Sequence, residues 1–452
     1  MSRRSHSSSP SSSPRLSKRP RLDFEPLTSE DYKNAVVLAP MVRSGALPTR
    51  LYSLKHGASL VWGPETVDKA ILHTQRVVDP TTGVVSYVGK TKAIFTTHPI
   101  EKPYLIYQIG SADPELAVQA AQAVVQDVAG FDLNCGCPKP FSTHAGMGAA
   151  LLTNPDLLCS ILTALREAMP PEISISAKIR LLASQEETLK LVERIVNTGI
   201  SALTVHCRTR SMRKNEKARV ERLREIVDFV EGMGKGIAVI ENGDCEGYQD
   251  AIRIRQITGA HSVMIATAAE SNPTCFSPRP LTDLEKTFIP SYIRLCKYLN
   301  NHWSSTKFCT SQFEGAHVVA TRADLKIMRS TIQKAKGYED MDAHVAPWTG
   351  EEEFKAIMDA IEKRQGRRGT SHLLPPVTAD ATQHHFSPKD ASSTPEQSEE
   401  IESSLSPSSE PPVPLAVPAS SGGLRISMPA VVSGGMPPPA PTLVVNATAT
   451  SA

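Results

Sequence analysis

The run Phe131-Asp132-Leu133-Asn134-Cys135-Gly136-Cys137-Pro138-Lys139-Pro140 carries an apolar, strand-like segment into a cysteine held between a glycine and a proline. A glycine-dotted loop follows through Ser142, Thr143 and Gly146-Met147-Gly148-Ala149-Ala150-Leu151-Leu152, and then a helix-like segment. This arrangement puts a thiol at the exit of a buried strand, where a flat ligand can be reached. With a free pKa of ~8.5, a thiol is mostly protonated at neutral pH and can serve as a general acid. The ends of the other strand-like runs carry Met41, Gln108, Lys178 with Arg180, His206 with Arg208, Asn242 with Gly243, and Ala266 with Thr267. A lone His or Lys at a strand end is more often a structural hydrogen bonder than a catalyst. Convergence of the whole set on one rim outweighs that account.

The elements that must position these residues alternate in type from about 34 to 280. Strand-like runs are Val36 to Ala39, Ser59 to Trp62, Tyr104 to Ile109, Phe131 to Cys135, Ile173 to Ile179, Ala202 to His206, Ile237 to Glu241 and Ser262 to Ala266. Helix-length amphipathic stretches lie between most of them, such as Pro114 to Val128, Pro155 to Ala168, Gln185 to Thr198 and Val220 to Glu231. Eight strands alternating with helices over roughly 240 residues predict an α/β fold, a (β/α)8 TIM barrel with its active site at the carboxyl ends of the strands. A doubly wound sheet would carry a Gly-rich turn after its first strand, where this chain has Ala39-Pro40-Met41-Val42. The barrel is expected over residues 31–284, and a small all-α helical domain over 285–366. Its helices are expected at Leu284 to Asn300, Ala323 to Lys336 and Glu351 to Arg364. Disordered tails are expected at 1–30 and 367–452, where Ser and Pro dominate.

The formal net charge is +2, but the charges segregate, with Arg and Lys crowding the start and Glu marking the tail. Lys18-Arg19-Pro20-Arg21 is a basic cluster of the nuclear-import kind, equally readable as a solvated basic tail. Eight cysteines without a paired zinc-type frame point to a reducing compartment. Cys135-Gly136-Cys137 has neither thioredoxin-like nor zinc-knuckle spacing, so no metal site is expected. No apolar run is long enough to cross a bilayer, and no apolar h-region follows the first basic residues. A monomeric intracellular protein, cytoplasmic or nuclear, is expected.

The motif set resembles the FMN-dependent tRNA-dihydrouridine synthases, and within them the eukaryotic branch that modifies uridine 20 of the tRNA D-loop. The resemblance covers about residues 34 to 345. It is carried by Leu38-Ala39-Pro40-Met41-Val42-Arg43, Asn134-Cys135-Gly136-Cys137-Pro138-Lys139, the Ser142 to Leu152 loop and Lys178-Ile179-Arg180. Thr204-Val205-His206-Cys207-Arg208, Asn272-Pro273, Asn301-His302 and Thr306-Lys307-Phe308-Cys309 complete it. It implies that Cys137 gives a proton to uracil C5 while reduced FMN gives hydride to C6, with NADPH or NADH as reductant. Cys135, within the strand register, reads as packing. It further implies that Pro40, Met41 and Val42 lie under the flavin ring, that Gln108 bonds its edge, and that Lys178 and His206 supply positive or donor character. Asn242, Gly243, Asp244, Ala266 and Thr267 fall where barrels commonly bind phosphate. Lys139, Arg180, Arg208, Lys307, Lys326, Arg329, Lys334 and Lys336 are the expected contacts to the tRNA substrate.

Two positions depart from that branch, which usually has glycine at 244 and arginine at 267. An added carboxylate and a lost cation both weaken anion binding on charge grounds. His144, where lysine is common, is a lesser departure. Two other readings stand beside the synthase: an FMN barrel reductase of a free small molecule, and a flavin-free tRNA-binding protein.

Overall fold

The computed structural model describes residues 25–213, 215–314, 322–346, 349–364, 366–367, 373–375 and 377. The basic cluster at 18–21 and nearly all of the Ser/Pro-rich segment after 367 lie outside the described residues, which belong to one compact unit. Twelve strands are described in it: β1 Val36–Leu38, β2 Val61–Trp62, β3 Thr66–Val67, β4 Gln75–Val78, β5 Val85–Val88, β6 Ala93–Thr97, β7 Leu105–Gly110, β8 Gly130–Cys135, β9 Ser174–Leu181, β10 Ala202–Thr209, β11 Ala238–Asn242 and β12 Ser262–Ile265. Eight of them form a parallel ring in the order β2-β1-β12-β11-β10-β9-β8-β7, closed by pairing of β2 with β7. This is the expected TIM barrel. β3 adds to the outer part of β7, matching Thr66 to Ile109 and Val67 to Gly110.

Side chains alternate across a strand with period two, so one strand serves two environments. In β8, Phe131, Leu133 and Cys135 join the large apolar layer between strands and helices. Asp132 and Asn134 take the other face and bond across the lumen strands. The lumen itself is filled at the amino-terminal end of the strands by Val37, Leu60, Trp62, Ile106, Ala202, Ala238, Ile240 and Met264. The barrel is therefore a packed body with a polar rim.

The connecting helices begin where local chemistry directs. Asp113 caps Pro114–Val124 by accepting from the N–H groups of Glu115 and Leu116, with proline at the first helical position. Ser184 and Glu187 form a reciprocal capping box at the start of Gln185–Val196. The alternation of strands and helices does not foreshadow β4, β5 and β6, an antiparallel sheet inserted between β3 and β7. A turn in which Asp79 accepts from the N–H groups of Thr81 and Thr82 joins its first two strands. Asp127, bonded to Arg76 at 2.7 and 2.8 Å and to the Tyr87 hydroxyl at 2.5 Å, ties the sheet to the barrel.

The C-terminal part is helical, with Ile289–Tyr298, Trp303–Gln312, Arg322–Lys334 and Glu351–Glu362 as its main helices. A single wide π turn, Leu284–Phe288, leads into it. The rings of Phe288, Tyr292 and Phe313 cluster with Tyr52 of the helix Leu47–Lys55, at centroid distances of 4.8 to 5.8 Å. Each fully buried aromatic contributes about 1.5–3 kcal/mol. Among the described residues no helix is long and apolar enough to cross a membrane.

Candidate active site

The carboxyl ends of the ring strands bring together most of the residues singled out above. Asp132 is the hub. It accepts from Gln108 Nε2 at 2.8 Å and from Ser176 Oγ at 2.7 Å, while Asn134 Nδ2 reaches Gln108 Oε1 at 3.3 Å. Burial pushes the Asp132 carboxyl up to about 6 against the pull of these bonds and of Lys178. Burial also pulls the Lys178 ammonium down to about 8, with Arg180 adding repulsion and Asp132 and Glu241 opposing it.

For His206, expected to supply positive or donor character, the surroundings disfavour a charge. Its burial, together with Lys178, Arg180 and Arg208, lowers its pKa to about 2, so the imidazole is neutral. Arg208 Nη1 lies 3.3 Å from His206 Nε2. A guanidinium only donates, so Nε2 accepts and the ring proton is assigned to Nδ1. His206 is therefore a hydrogen-bond donor without charge.

The loop after β8 is braced on both sides. Asn134 Oδ1 accepts from the N–H groups of Gly136 and Cys137 at 2.9 and 3.0 Å. Arg180 Nε donates to the Gly136 carbonyl at 2.7 Å, and its Nη1 to the Thr209 carbonyl at 3.1 Å. Gly148 has φ +60°, and a Cβ there would lie 2.7 Å from the Cys137 carbonyl oxygen, so only glycine fits this close approach. Cys137 is half-buried, and burial raises its thiol pKa above the ordinary value. Cys135 is fully buried in the outer apolar layer, its Sγ 3.6 Å from the Leu133 carbonyl. Two cysteines separated by one residue thus have different settings, Cys135 in the outer apolar layer at the end of β8 and Cys137 on the loop beyond it.

At the last two strands, Asn242 Nδ2 braces the Met264 carbonyl at 2.9 Å. Gly243 is packed so closely that a Cβ would meet the Ala218 Cβ at 2.7 Å. Asp244 takes a left-handed φ of +60°, and its carboxylate accepts from Arg208 Nη2 at 2.5 and 2.7 Å and from the Ala218 N–H at 2.8 Å. The added negative charge is therefore paired within the protein. Ala266 is half-buried and Thr267 exposed at the start of a short helix, Thr267–Ser271. Pro40 and Met41 are half-buried at the end of β1, and Val42 is 55% exposed.

The cations expected to meet RNA divide into two groups. Arg180 holds carbonyls of the loops, and Arg208, only 6% exposed, holds Asp244 and the Glu216 carbonyl. Lys307 donates to the carbonyls of Gln333 and Ala335 at the end of the helix Arg322–Lys334. Lys139, Lys334 and Lys336 are exposed, and Arg329 lies 3.8 Å from Glu314. The side chain of Lys326 lies outside the described residues.

Three residues at the mouth escaped the sequence reading. Asp132 sits mid-strand, and its inward parity relative to Phe131 and Leu133 was the available signal. Glu65 follows the end of β2 by three residues, half-buried beside the Cys137 loop. Phe141, 54% exposed in the loop itself, has no partner that local sequence would reveal.

A model of the family described as "Dihydrouridine synthase (Dus)" matches residues 37–363. Over 319 residues the chain is 46% identical to the NAD(P)+ tRNA-dihydrouridine(20) synthase of Schizosaccharomyces pombe, covering 69% of this chain and 64% of that protein. It is 40% identical over 301 residues to the protein of the same description from Saccharomyces cerevisiae, covering 62% of this chain and 77% of the relative. Identity to a tRNA-dihydrouridine(20a/20b) synthase of Saccharomyces cerevisiae is 29% over 243 residues, covering 53% of this chain and 61% of the relative. The chain thus spans just under two thirds of the length of the Schizosaccharomyces pombe relative.

Proposed function

The chain belongs to the dihydrouridine synthase family, and from that premise we propose that it reduces the 5,6 double bond of a uridine in the tRNA D-loop, at position 20, to dihydrouridine. FMN is the bound cofactor of this reading, and NADPH or NADH the reductant. The observation that carries it is the half-buried Cys137 thiol, held on a braced loop at the mouth where a half-buried ammonium, Lys178, and a neutral imidazole donor, His206, also end their strands.

The residues at the mouth fit a planar, electron-rich group. Lys178 is half-buried, and loss of solvent lowers its pKa, so its charge is only partly compensated by the protein. An anionic ring edge would complete that compensation. Gln108, Lys178 and His206 are the donors for such an edge, and Pro40, Met41 and Val42 offer an apolar bed. Backbone groups of Asn242, Gly243, Asp244 and Ala266, with the Thr267 hydroxyl, would hold the phosphate. Pairing of Asp244 with Arg208 removes the charge objection at that position, which weakens the flavin-free alternative. When bound, FMN supplies the hydride that saturates uracil C6, the electrons coming from NAD(P)H.

The protein's own residues do the rest. Cys137 donates its proton to C5, which balances the hydride at C6 and leaves a thiolate. Arg180, electrostatically coupled to Cys137, steadies that thiolate until solvent returns a proton. Asn134 and Arg180 keep the loop in place while the thiol acts. A uridine must leave the tRNA stack to reach this rim, so the RNA is gripped elsewhere. Lys139, Arg329, Lys334 and Lys336 are the proposed phosphate contacts, with Lys326, whereas Lys307, Arg180 and Arg208 act by holding the structure that presents them.

Mass-spectrometric nucleoside analysis of tRNA incubated with protein, FMN and NADPH tests the reading. Dihydrouridine is expected with the wild type and a loss of about 10²-fold or more with Cys137→Ala. Absence of dihydrouridine on both unmodified and native tRNA, with flavin bound, defeats it.

A further inference from the structure

Glu65 reaches the Cys137 loop from two strands round the ring, since β2 pairs with β7 and β7 with β8. It lies between β2 and β3, 77 positions before Ser142, whose hydroxyl is 3.4 Å from Glu65 Oε1. The Ser142 hydroxyl that bonds Glu65 packs against Gly148, as does the Cys137 side chain, and the negative charge of Glu65 pushes the Cys137 thiol pKa up. Two glycines make room for the cluster. A Cβ at Gly110, the last residue of β7, would lie 2.6 Å from Glu65 Oε1, and one at Gly148 would lie 3.1 Å from Cys137 Cβ. The carboxylate is therefore seated in a built cradle.

We propose that Glu65 is the positioning residue of Cys137: its carboxylate accepts the hydrogen bond of the thiol, fixes the S–H direction, and keeps the sulfur protonated until its proton is needed. The proposal rests on the reading of Cys137 as the proton donor. Like charge next to a forming thiolate disfavours it, so Glu65 raises the thiol pKa, in the same direction as burial. The groups facing the thiol pull both ways. Arg180 from β9 attracts the thiolate, and the Lys139 N–H and Ser142 hydroxyl from its own loop stabilise it. Glu65, from the β2–β3 loop, opposes them. The balance sets the pH at which Cys137 ceases to be an acid.

The test follows iodoacetamide alkylation of Cys137 across pH in the full chain, read peptide by peptide by mass spectrometry. In wild type the midpoint is expected above ~8.5. Glu65→Gln is expected to lower it by about one unit, making alkylation at pH 7 up to about tenfold faster. The basic limb of the dihydrouridine-forming rate is expected to move down by the same amount. Gly110→Ala is the second variant, because its methyl displaces the carboxylate without removing the charge, and it too should lower the midpoint. A folded variant of either kind with the wild-type midpoint overturns the proposal. Alkylation needs neither flavin nor tRNA, so a wild type that makes no dihydrouridine defeats the function while leaving the Glu65 result to be judged on its own.

Discussion

The amino-terminal half of the barrel lumen is filled by Val37, Leu60, Trp62, Ile106, Ala238, Ile240 and Met264, whereas the carboxyl half carries Gln108, Asp132, Asn134, Lys178, His206 and Asn242. The same strands build both. Ile106 and Gln108 are two residues apart on β7, as are Ile240 and Asn242 on β11. One half closes the barrel by excluding water. The other keeps titratable groups in a place where burial shifts each of them, Asp132 upward and Lys178 and His206 downward. Stability and chemistry are thereby divided along the strand axis, and substitutions in the two halves should fail in different ways.

The widest separation is expected between a rim thiol and its neighbour in the outer layer. Cys137→Ala should lower dihydrouridine formation by about 10²-fold or more while changing stability by less than about 0.5 kcal/mol. Cys135→Ala should keep activity and cost about 1 kcal/mol in denaturant melts. Loss of activity in both alike would dissolve the distinction between the two settings.

In the plug, Ile106→Ala should cost about 2–5 kcal/mol of stability by urea unfolding, through lost burial and the cavity left behind. Its effect on turnover of the protein that remains folded should be small. At the rim, Asp132 supplies a pH signature. A carboxyl raised to about 6 holds its proton more tightly in the folded state, so its contribution is full below about pH 4 and lost as pH rises through about 6. The stability difference between wild type and Asp132→Asn should therefore shift by about 2–3 kcal/mol over that window, wild type losing ground as pH rises. A difference flat with pH would place Asp132 in a solvated setting.

The smallest effect is expected at the edge of the rim. Asp244→Gly removes a carboxylate already paired with Arg208 and partly exposed. Flavin titration by fluorescence should give an affinity within about threefold of wild type, in keeping with the small net worth of an exposed pair. A large gain in affinity would show that the charge acts on the phosphate after all.

Much of this design is local and legible in the chain. The alternation of apolar runs with amphipathic stretches specifies the ring, because buried parallel strands and helix faces each have their own period. Asn134-Cys135-Gly136-Cys137 places one thiol in strand register and the next beyond it, since the glycine and the following proline end the strand between them. Caps such as Asp113 and Ser184 act within four residues. What the chain alone could not decide is which distant group each long or charged side chain meets. Arg180, Arg208 and Lys307 look alike as free cations in sequence, yet each is engaged by carbonyls or a carboxylate that the fold brings within 3 Å. The inserted sheet β4–β6 depends on Asp127, which follows it by a long stretch of chain. Glu65 meets the Cys137 loop only because closing the ring sets β2 beside β7 and β7 beside β8. Local periodicity determined the scaffold and its thiol; the charged and polar neighbours of that thiol were decided by ring closure, because electrostatic interaction follows distance in space and not along the chain.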